Sequence, residues 1–226
     1  MTKGKRYEKA RALIDLAREY SIDEAIKIVK ESSTVKFDAT VEMHIRLGID
    51  TKKAEQIVRS SVVLPYRSGK KRRIAVFVGP EKEREAREAG ADVVGGIDSV
   101  KKIQQTGKVD FDLAVTTPDF MKNLASIARI LGPKGLMPNP KSETITTNLR
   151  ATLAELHKGK MTFRSDVQGN VHSAVGKVSL PENELQANCE AFLDAVKKAR
   201  PQDLKGTYLR SLTLTSSMGP GIRVKM

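Results

Sequence analysis

Arg73-Ile74-Ala75-Val76-Phe77-Val78-Gly79-Pro80 is an apolar run closed by glycine and proline, and a charged stretch from Glu81 to Ala89 follows it. An unbroken series of strand formers fits a strand covered on both faces, the environment of a parallel sheet. Working outward, Ala91 to Val94 reads as the next short strand and Ser99 to Gln105 as a helix. Leu113-Ala114-Val115 reads as a third strand, Asp119 to Ile130 as a helix, and Asn148 to His157 as a last one. Strands that alternate with helices in this way build βαβ units, which makes this stretch α/β.

The flanks have a different texture. Ala10, Leu13, Ile14 and Ala17 recur at helical spacing, and Ser21 with Glu24 forms a capping-box pattern ahead of Ile22, Ala25, Ile26 and Val29. Val41, Met43, Ile45, Leu47 and Ile49 then alternate with Glu42, His44, Arg46 and Gly48, which predicts a half-buried strand with one wet face. Another strand is expected over Val58 to Leu64, stopped by Pro65. Further on, Met161 to Val167 and Val171 to Val178 flank Gln168-Gly169-Asn170, a hairpin signal. A helix follows with Ser179 and Glu182 as its cap, Pro181 in its first turn and Pro201 as its stop. The closing strand sets Leu209, Ser211, Thr213 and Thr215 against Leu212 and Leu214.

Because both flanks share this style, the sequence predicts two domains of mixed α/β and α+β class. A discontinuous, split α+β domain comes from both termini, residues 1–67 and 160–226, and a βαβ domain is inserted over residues 68–159. The crossings fall at the basic joints Tyr66-Arg67-Ser68-Gly69-Lys70 and Lys158-Gly159-Lys160, with Gly69 and Gly159 as a hinge.

Lysine and arginine number 40 against 27 acidic residues, a formal net charge of +13. The field of such a chain attracts polyanions, and nucleic acid is the leading partner class. A membrane is disfavoured, since no apolar run approaches the roughly 18 residues of a spanning helix. Met1-Thr2-Lys3-Gly4-Lys5-Arg6 is basic but precedes a polar helix, so no secretory signal is read and the cytoplasm is expected. One cysteine, Cys189, forms no internal disulfide. Aromatic residues make up 4% with no tryptophan, which argues against stacking on unpaired bases and toward folded RNA.

Catalytic and cofactor signals are thin. Gly79-Pro80-Glu81-Lys82-Glu83-Arg84 is not a dinucleotide fingerprint, and its acidic residues repel a pyrophosphate. Gly132-Pro133-Lys134-Gly135 lacks the phosphate-loop order; it reads either as a plain connector or as a loop whose Lys134, with Lys141, meets a phosphate. Cys189 is in register with Leu185, Phe192 and Val196, a core position rather than a nucleophile. His44, His157 and His172 show no ligand spacing, so no metal site is predicted, and His44 and His172 are either RNA contacts or ordinary surface residues. No catalytic residue and no cofactor are assigned. The rival reading is a nucleotide-dependent enzyme acting on RNA through the insert, which requires a cofactor-sized pocket at its strand ends.

Two segments carry a binding signal. Lys36-Phe37-Asp38-Ala39-Thr40-Val41-Glu42 sets a cation, a ring and a hydroxyl at a strand entrance, although Phe37 also reads as core. Thr215-Ser216-Ser217-Met218-Gly219-Pro220-Gly221-Ile222-Arg223-Val224 is a turn rich in hydroxyl groups and glycine that lets a backbone approach a polar polyanion. If the opening and closing strands are neighbours, Phe37, Thr40, Ser211, Ser217 and Met218 gather on one composite surface.

These two segments, with Leu131-Gly132-Pro133-Lys134-Gly135-Leu136-Met137-Pro138-Asn139-Pro140 between them, resemble the bacterial ribosomal protein L-one family, proteins of the mobile stalk of the large subunit. The likeness spans essentially the whole chain. It implies a split domain with a Rossmann-like insert on two hinges, and binding of the first domain to a bent stalk junction of large-subunit ribosomal RNA. It further implies stalk movement as deacylated exit-site tRNA leaves, and repression of translation of the messenger of its own operon. The resemblance puts the RNA contacts on Lys36, Phe37, Thr40, Arg164, Asp166, Ser211, Ser217, Met218 and Gly219, in a protein that is monomeric off the ribosome. Family members often carry threonine where this chain has Ser217, so the hydroxyl is kept and a methyl is missing.

Overall fold

The computed structural model describes residues 4–226 apart from 16, 67, 68, 70, 71, 141 and 142. Arg67, Ser68 and Lys70 of the first joint, the basic Lys141 and residues 1–3 of the N-terminal stretch therefore lie outside the described residues. The strands are β1 Thr40–Leu47, β2 Arg59–Val63, β3 Ile74–Phe77, β4 Val93–Gly95, β5 Leu113–Thr116, β6 Lys160–Arg164, β7 Asn170–Lys177, β8 Leu209–Ser216 and β9 Ile222–Val224. The α-helices are α1 Lys5–Ala12, α2 Ile22–Ser32, α3 Glu83–Glu88, α4 Ile97–Thr106, α5 Met121–Leu124, α6 Ala128–Leu131, α7 Leu149–His157 and α8 Glu182–Lys198. Helices and three separate sheets make the fold α/β, and the chain divides into two compact units, Met1–Gly69 with Lys158–Met226, and Lys70–His157.

In the second unit β3 lies between β4 and β5 in a parallel sheet. All four residues of β3 are buried because both faces are covered. Ala75 and Phe77 pack with Val100, Ile103, Ala114, Leu124 and Ile127, whereas Ile74 and Val76 pack with Ala86, Val115, Leu149 and Leu153. The single helix expected over Asp119 to Ile130 is broken: a 3-10 turn, Ala125–Ile127, separates α5 from α6. The Ser126 hydroxyl donates to the Asn123 carbonyl at 2.8 Å, the local competition by which serine weakens helices.

The first unit is built on an antiparallel sheet in the order β7-β1-β8-β9. Val41, Met43, Ile45 and Leu47 of β1 are buried, with Leu212 and Leu214 of β8, in one core with Ala25, Ile26 and Val29 of α2 and Leu185, Cys189, Phe192 and Val196 of α8. The Ser21 hydroxyl accepts the Glu24 amide and the Glu24 carboxylate accepts the Ser21 amide, both at 3.2 Å, so the predicted capping box closes. The first helix stops earlier than its periodicity, at Ala12, since the Asp15 carboxylate accepts the Ala17 amide at 2.9 Å and turns the chain.

Two local expectations are corrected. The hairpin around Gly169 keeps its turn but not its ladder, because β6 pairs with β2 in a sheet of its own, and the β-bridge to β7 is the isolated Ser165–Val171 pair just past its end. Phe163 and Met161 of β6 belong to the core under α8, with the Phe163 and Phe192 rings edge to face at 5.3 Å, and that burial outweighs hairpin pairing. Ser179 does not cap α8, whose N-cap is Pro181 without a side-chain bond. Instead, its hydroxyl and amide donate to the Asp38 carboxylate at 2.9 and 3.2 Å.

Candidate nucleic-acid interface

The opening and closing strands are neighbours: β1 pairs with β8 antiparallel, from Val41 opposite Ser216 to Arg46 opposite Ser211. Strand alternation then assigns Thr40, Glu42, His44 and Arg46 to the face away from the core, beside Ser211, Thr213 and Thr215. On the other side β7 adds Lys177 opposite Thr40 and His172 opposite His44. The α2 and α8 core closes the opposite face and leaves this one wet.

At one end of that face the pieces of both chain ends lock together. The Ser217 amide donates to the Thr40 carbonyl at 2.8 Å, and the Ser217 hydroxyl accepts the Thr40 amide at 3.3 Å. The turn beyond is braced from within, with the Gly219 amide on the Ser216 carbonyl at 2.8 Å and the Thr215 hydroxyl directed at the Gly219 and Pro220 carbonyls. Arg6 of α1 donates to the Met218 carbonyl at 3.3 Å. A Cβ on Gly219 would overlap the Ser216 hydroxyl, so glycine is the residue that lets this turn close. Met218 takes a left-handed backbone with φ 64° and leaves its side chain 67% exposed. A bulky residue held in that region marks a site where the surroundings impose the conformation.

The loop before β1 is pinned just as firmly. Besides Ser179 on Asp38, the Val178 amide donates to the Ala39 carbonyl at 2.9 Å, and Lys177 donates to the Asp38 carbonyl and the Thr40 hydroxyl at 3.2 and 2.8 Å. Accepting from Lys177 leaves the Thr40 hydroxyl its own proton to donate. Phe37 is 53% exposed and Lys36 is exposed beside it. Of the two readings of Phe37, surface and core, the structure gives the surface.

Ser211, Arg164 and Asp166 do not join that end. Ser211 sits opposite Arg46, six residues along β1 from Thr40, which at about 3.3 Å per residue is about 20 Å away on the same face. Asp166 lies near that second end, in the turn whose Gly169 carbonyl accepts the Leu47 amide at 2.8 Å. Its carboxylate accepts the Gln168 and Asn170 amides at 2.9 and 2.7 Å and the Asn170 side chain at 3.2 Å, with His172 at 3.5 Å. Burial opposes, but these bonds prevail and hold its pKa below the ordinary aspartate value. Between the two ends His44 Nδ1 lies 2.7 Å from His172 Nδ1, and the Glu42 carboxylate is 3.7 Å from His44 Nε2.

Sequence reading missed Lys177 and Arg6. No local pattern announces them, because their partners Thr40 and Met218 are 137 and 212 residues away in the chain. Cys189 is fully buried and burial pushes its thiol up to about 12, with Glu190 adding to the shift, which makes it an inert core group. Among the described residues no helix is long and apolar enough to cross a membrane.

A model of the Ribosomal protein L1p/L10e family matches residues 29–220, from within α2 through the Ser217–Gly219 turn. That span contains every element of the second unit, the whole of the segment from Lys36 to Glu42, and the closing segment from Thr215 as far as Pro220. The chain belongs to the ribosomal protein L1p/L10e family, a structural rather than enzymatic family of the large ribosomal subunit that binds ribosomal RNA.

Proposed function

We propose that the first unit binds the stalk junction of large-subunit ribosomal RNA, with Lys36, Phe37, Thr40, Ser217, Met218 and Gly219 as one contact group at one end of the wet face, and with Ser211 at its other end, Asp166 in the adjoining turn and Arg164 on the separate β2–β6 ribbon as a second. The observation that carries this reading is the Thr40–Ser217 lock, which joins both chain ends and holds Phe37 and Met218 outward on pinned backbone. A preorganised apolar pair beside hydroxyl groups suits the shallow, 2′-hydroxyl-bearing minor groove of helical RNA. Asp166 serves by shaping its turn rather than by offering a free carboxylate. The net charge of +13 supplies long-range attraction, and the short-range contacts select the shape.

In this reading the two units are separate domains, and the crossings at Gly69 and Gly159, with φ 123° and 108°, are the hinge of a moving stalk that releases deacylated exit-site tRNA. A messenger of its own operon that folds like the stalk junction would compete for the same face, giving translational repression. Chemical protection of large-subunit ribosomal RNA by the purified protein tests the reading. Protection confined to the stalk junction, weakened by Met218→Ala, is the expected result, and diffuse protection that follows charge alone would remove it.

A further inference from the structure

Arg59 of β2 and Arg164 of β6 stand directly opposite each other in an antiparallel pair, and so project from the same face of a two-stranded ribbon. Ser61 and Thr162 are the next opposed pair on that face. The other face, with Met161 and Phe163, is committed to the core, which leaves the arginines no route inward. Like charges in directly opposed positions cost stability, and arrangements of this kind are commonly relieved by a carboxylate. Here, among the described residues, neither guanidinium has an ion pair. The nearest acid along the chain, Asp166, is occupied by the amides of its own turn and by His172. Arg59 is also partly desolvated, and burial together with Arg164 lowers its pKa from the ordinary arginine value.

We propose that Arg59 and Arg164 jointly hold one phosphate of the bound RNA backbone, with the Ser61 and Thr162 hydroxyls beside them, as an anchor on the β2–β6 ribbon. This rests on the reading of the first unit as an RNA-binding surface and adds to it a residue, Arg59, that no motif had singled out. Two planar guanidinium forks presented side by side match the tetrahedral oxygens of a phosphodiester, and contacts of this kind set register rather than read sequence. Arg164 thereby acts as half of a clamp rather than as an isolated charge.

The test uses the full chain with a labelled ribosomal RNA fragment containing the stalk junction, titrated across a range of salt. Arg59→Gln is expected to weaken binding by about ten- to hundredfold, the span of charge-assisted hydrogen bonds, and to lower the salt slope by about 0.7 to 0.9. Arg59→Lys should restore the slope but only part of the affinity, because a point charge cannot reproduce a fork. If the wild type binds the fragment and Arg59→Gln binds it with unchanged affinity and slope, the clamp is refuted while RNA binding by this face stands. If the wild type itself fails to select the fragment, the RNA reading fails, and the clamp is then judged by inorganic phosphate alone. Phosphate should raise the Tm of the wild type more than chloride of equal ionic strength does, and Arg59→Gln and Arg164→Gln should each abolish that increment; an increment retained in both variants overturns the site. Misfolding does not confuse the result, since removing one of two opposed cations is expected to leave the Tm in chloride equal or higher.

Discussion

The Ser217 amide meets the Thr40 carbonyl at 2.8 Å while the Ser217 hydroxyl meets the Thr40 amide at 3.3 Å, so two residues 177 positions apart are held at two points. The backbone bond survives replacement of Ser217 by alanine; the hydroxyl bond does not. Ser217→Ala should therefore lower stability by about 0.5 to 1.5 kcal/mol, read as a shift of the urea midpoint without a change in m. Ser217→Thr keeps the oxygen and should stay near wild type. Equal losses in the two variants would show that the hydroxyl is not what holds Thr40.

Met218 separates binding from stability. Its left-handed backbone costs a side-chain-bearing residue about 1 to 2 kcal/mol that glycine avoids, and glycine gives back roughly half of this as chain entropy. Met218→Gly is thus expected to melt at or slightly above the wild-type temperature while its affinity for stalk RNA falls, since an exposed thioether has been deleted. A marked drop in Tm would instead mean that Met218 packs for the fold.

The two contact groups, about 20 Å apart along β1, should respond differently to salt. Lys36→Gln is expected to reduce the slope of log affinity against log salt by about 0.7 to 0.9, as for one lost phosphate contact. Ser211→Ala should weaken binding at every salt concentration with the slope unchanged. Parallel loss of slope in both variants would contradict the assignment of the hydroxyl to shape selection.

The sequence displayed whatever is local or periodic. The 2-residue alternation of Val41 to Leu47 gave both the strand and its wet face, and the unbroken run Ile74 to Val78 gave a strand buried on two sides. Gln168-Gly169-Asn170 gave the turn, although not the ladder expected on either side of it. What stayed hidden depends on partners distant in sequence. Met161 and Phe163 alternate as well as any hairpin strand, yet their pairing with β2 is decided by the core under α8. Ser179 has the chemistry of a cap, but Asp38, 141 residues away, claims it. In the site, hydroxyl groups and glycine in the 215–221 turn were visible, whereas the opposition of Arg59 to Arg164 exists only once β2 and β6 are paired.

Cys189 offers an internal probe of the core it helps to fill. With no exposure and a thiol pushed up to about 12, it presents neither access nor thiolate at neutral pH. Alkylation by a maleimide is expected to be negligible in the native protein and to rise with denaturant along the unfolding curve. Rapid labelling without denaturant would show that α8 opens independently of global unfolding.

The histidine pair makes stability depend on pH with a defined sign. At 2.7 Å between Nδ1 atoms one ring must donate and the other accept, so the contact excludes a proton on both. Burial first, and His172 second, lower the pKa of His44, while Glu42 partly offsets them. Asp166 at 3.5 Å from His172, Arg46 two residues along β1, and Arg223 of β9 across β8 are further charges on the side of the sheet that carries the pair. A histidine whose folded pKa is depressed binds its proton more readily when unfolded; its contribution is intact above the unfolded value near 6.5 and is lost as the pH falls through the lower folded value. The urea midpoint of the wild type should therefore fall between pH 7.5 and pH 5.5, and His44→Gln should show a smaller fall over the same interval. Parallel curves for the two proteins would locate the acid sensitivity elsewhere in the molecule.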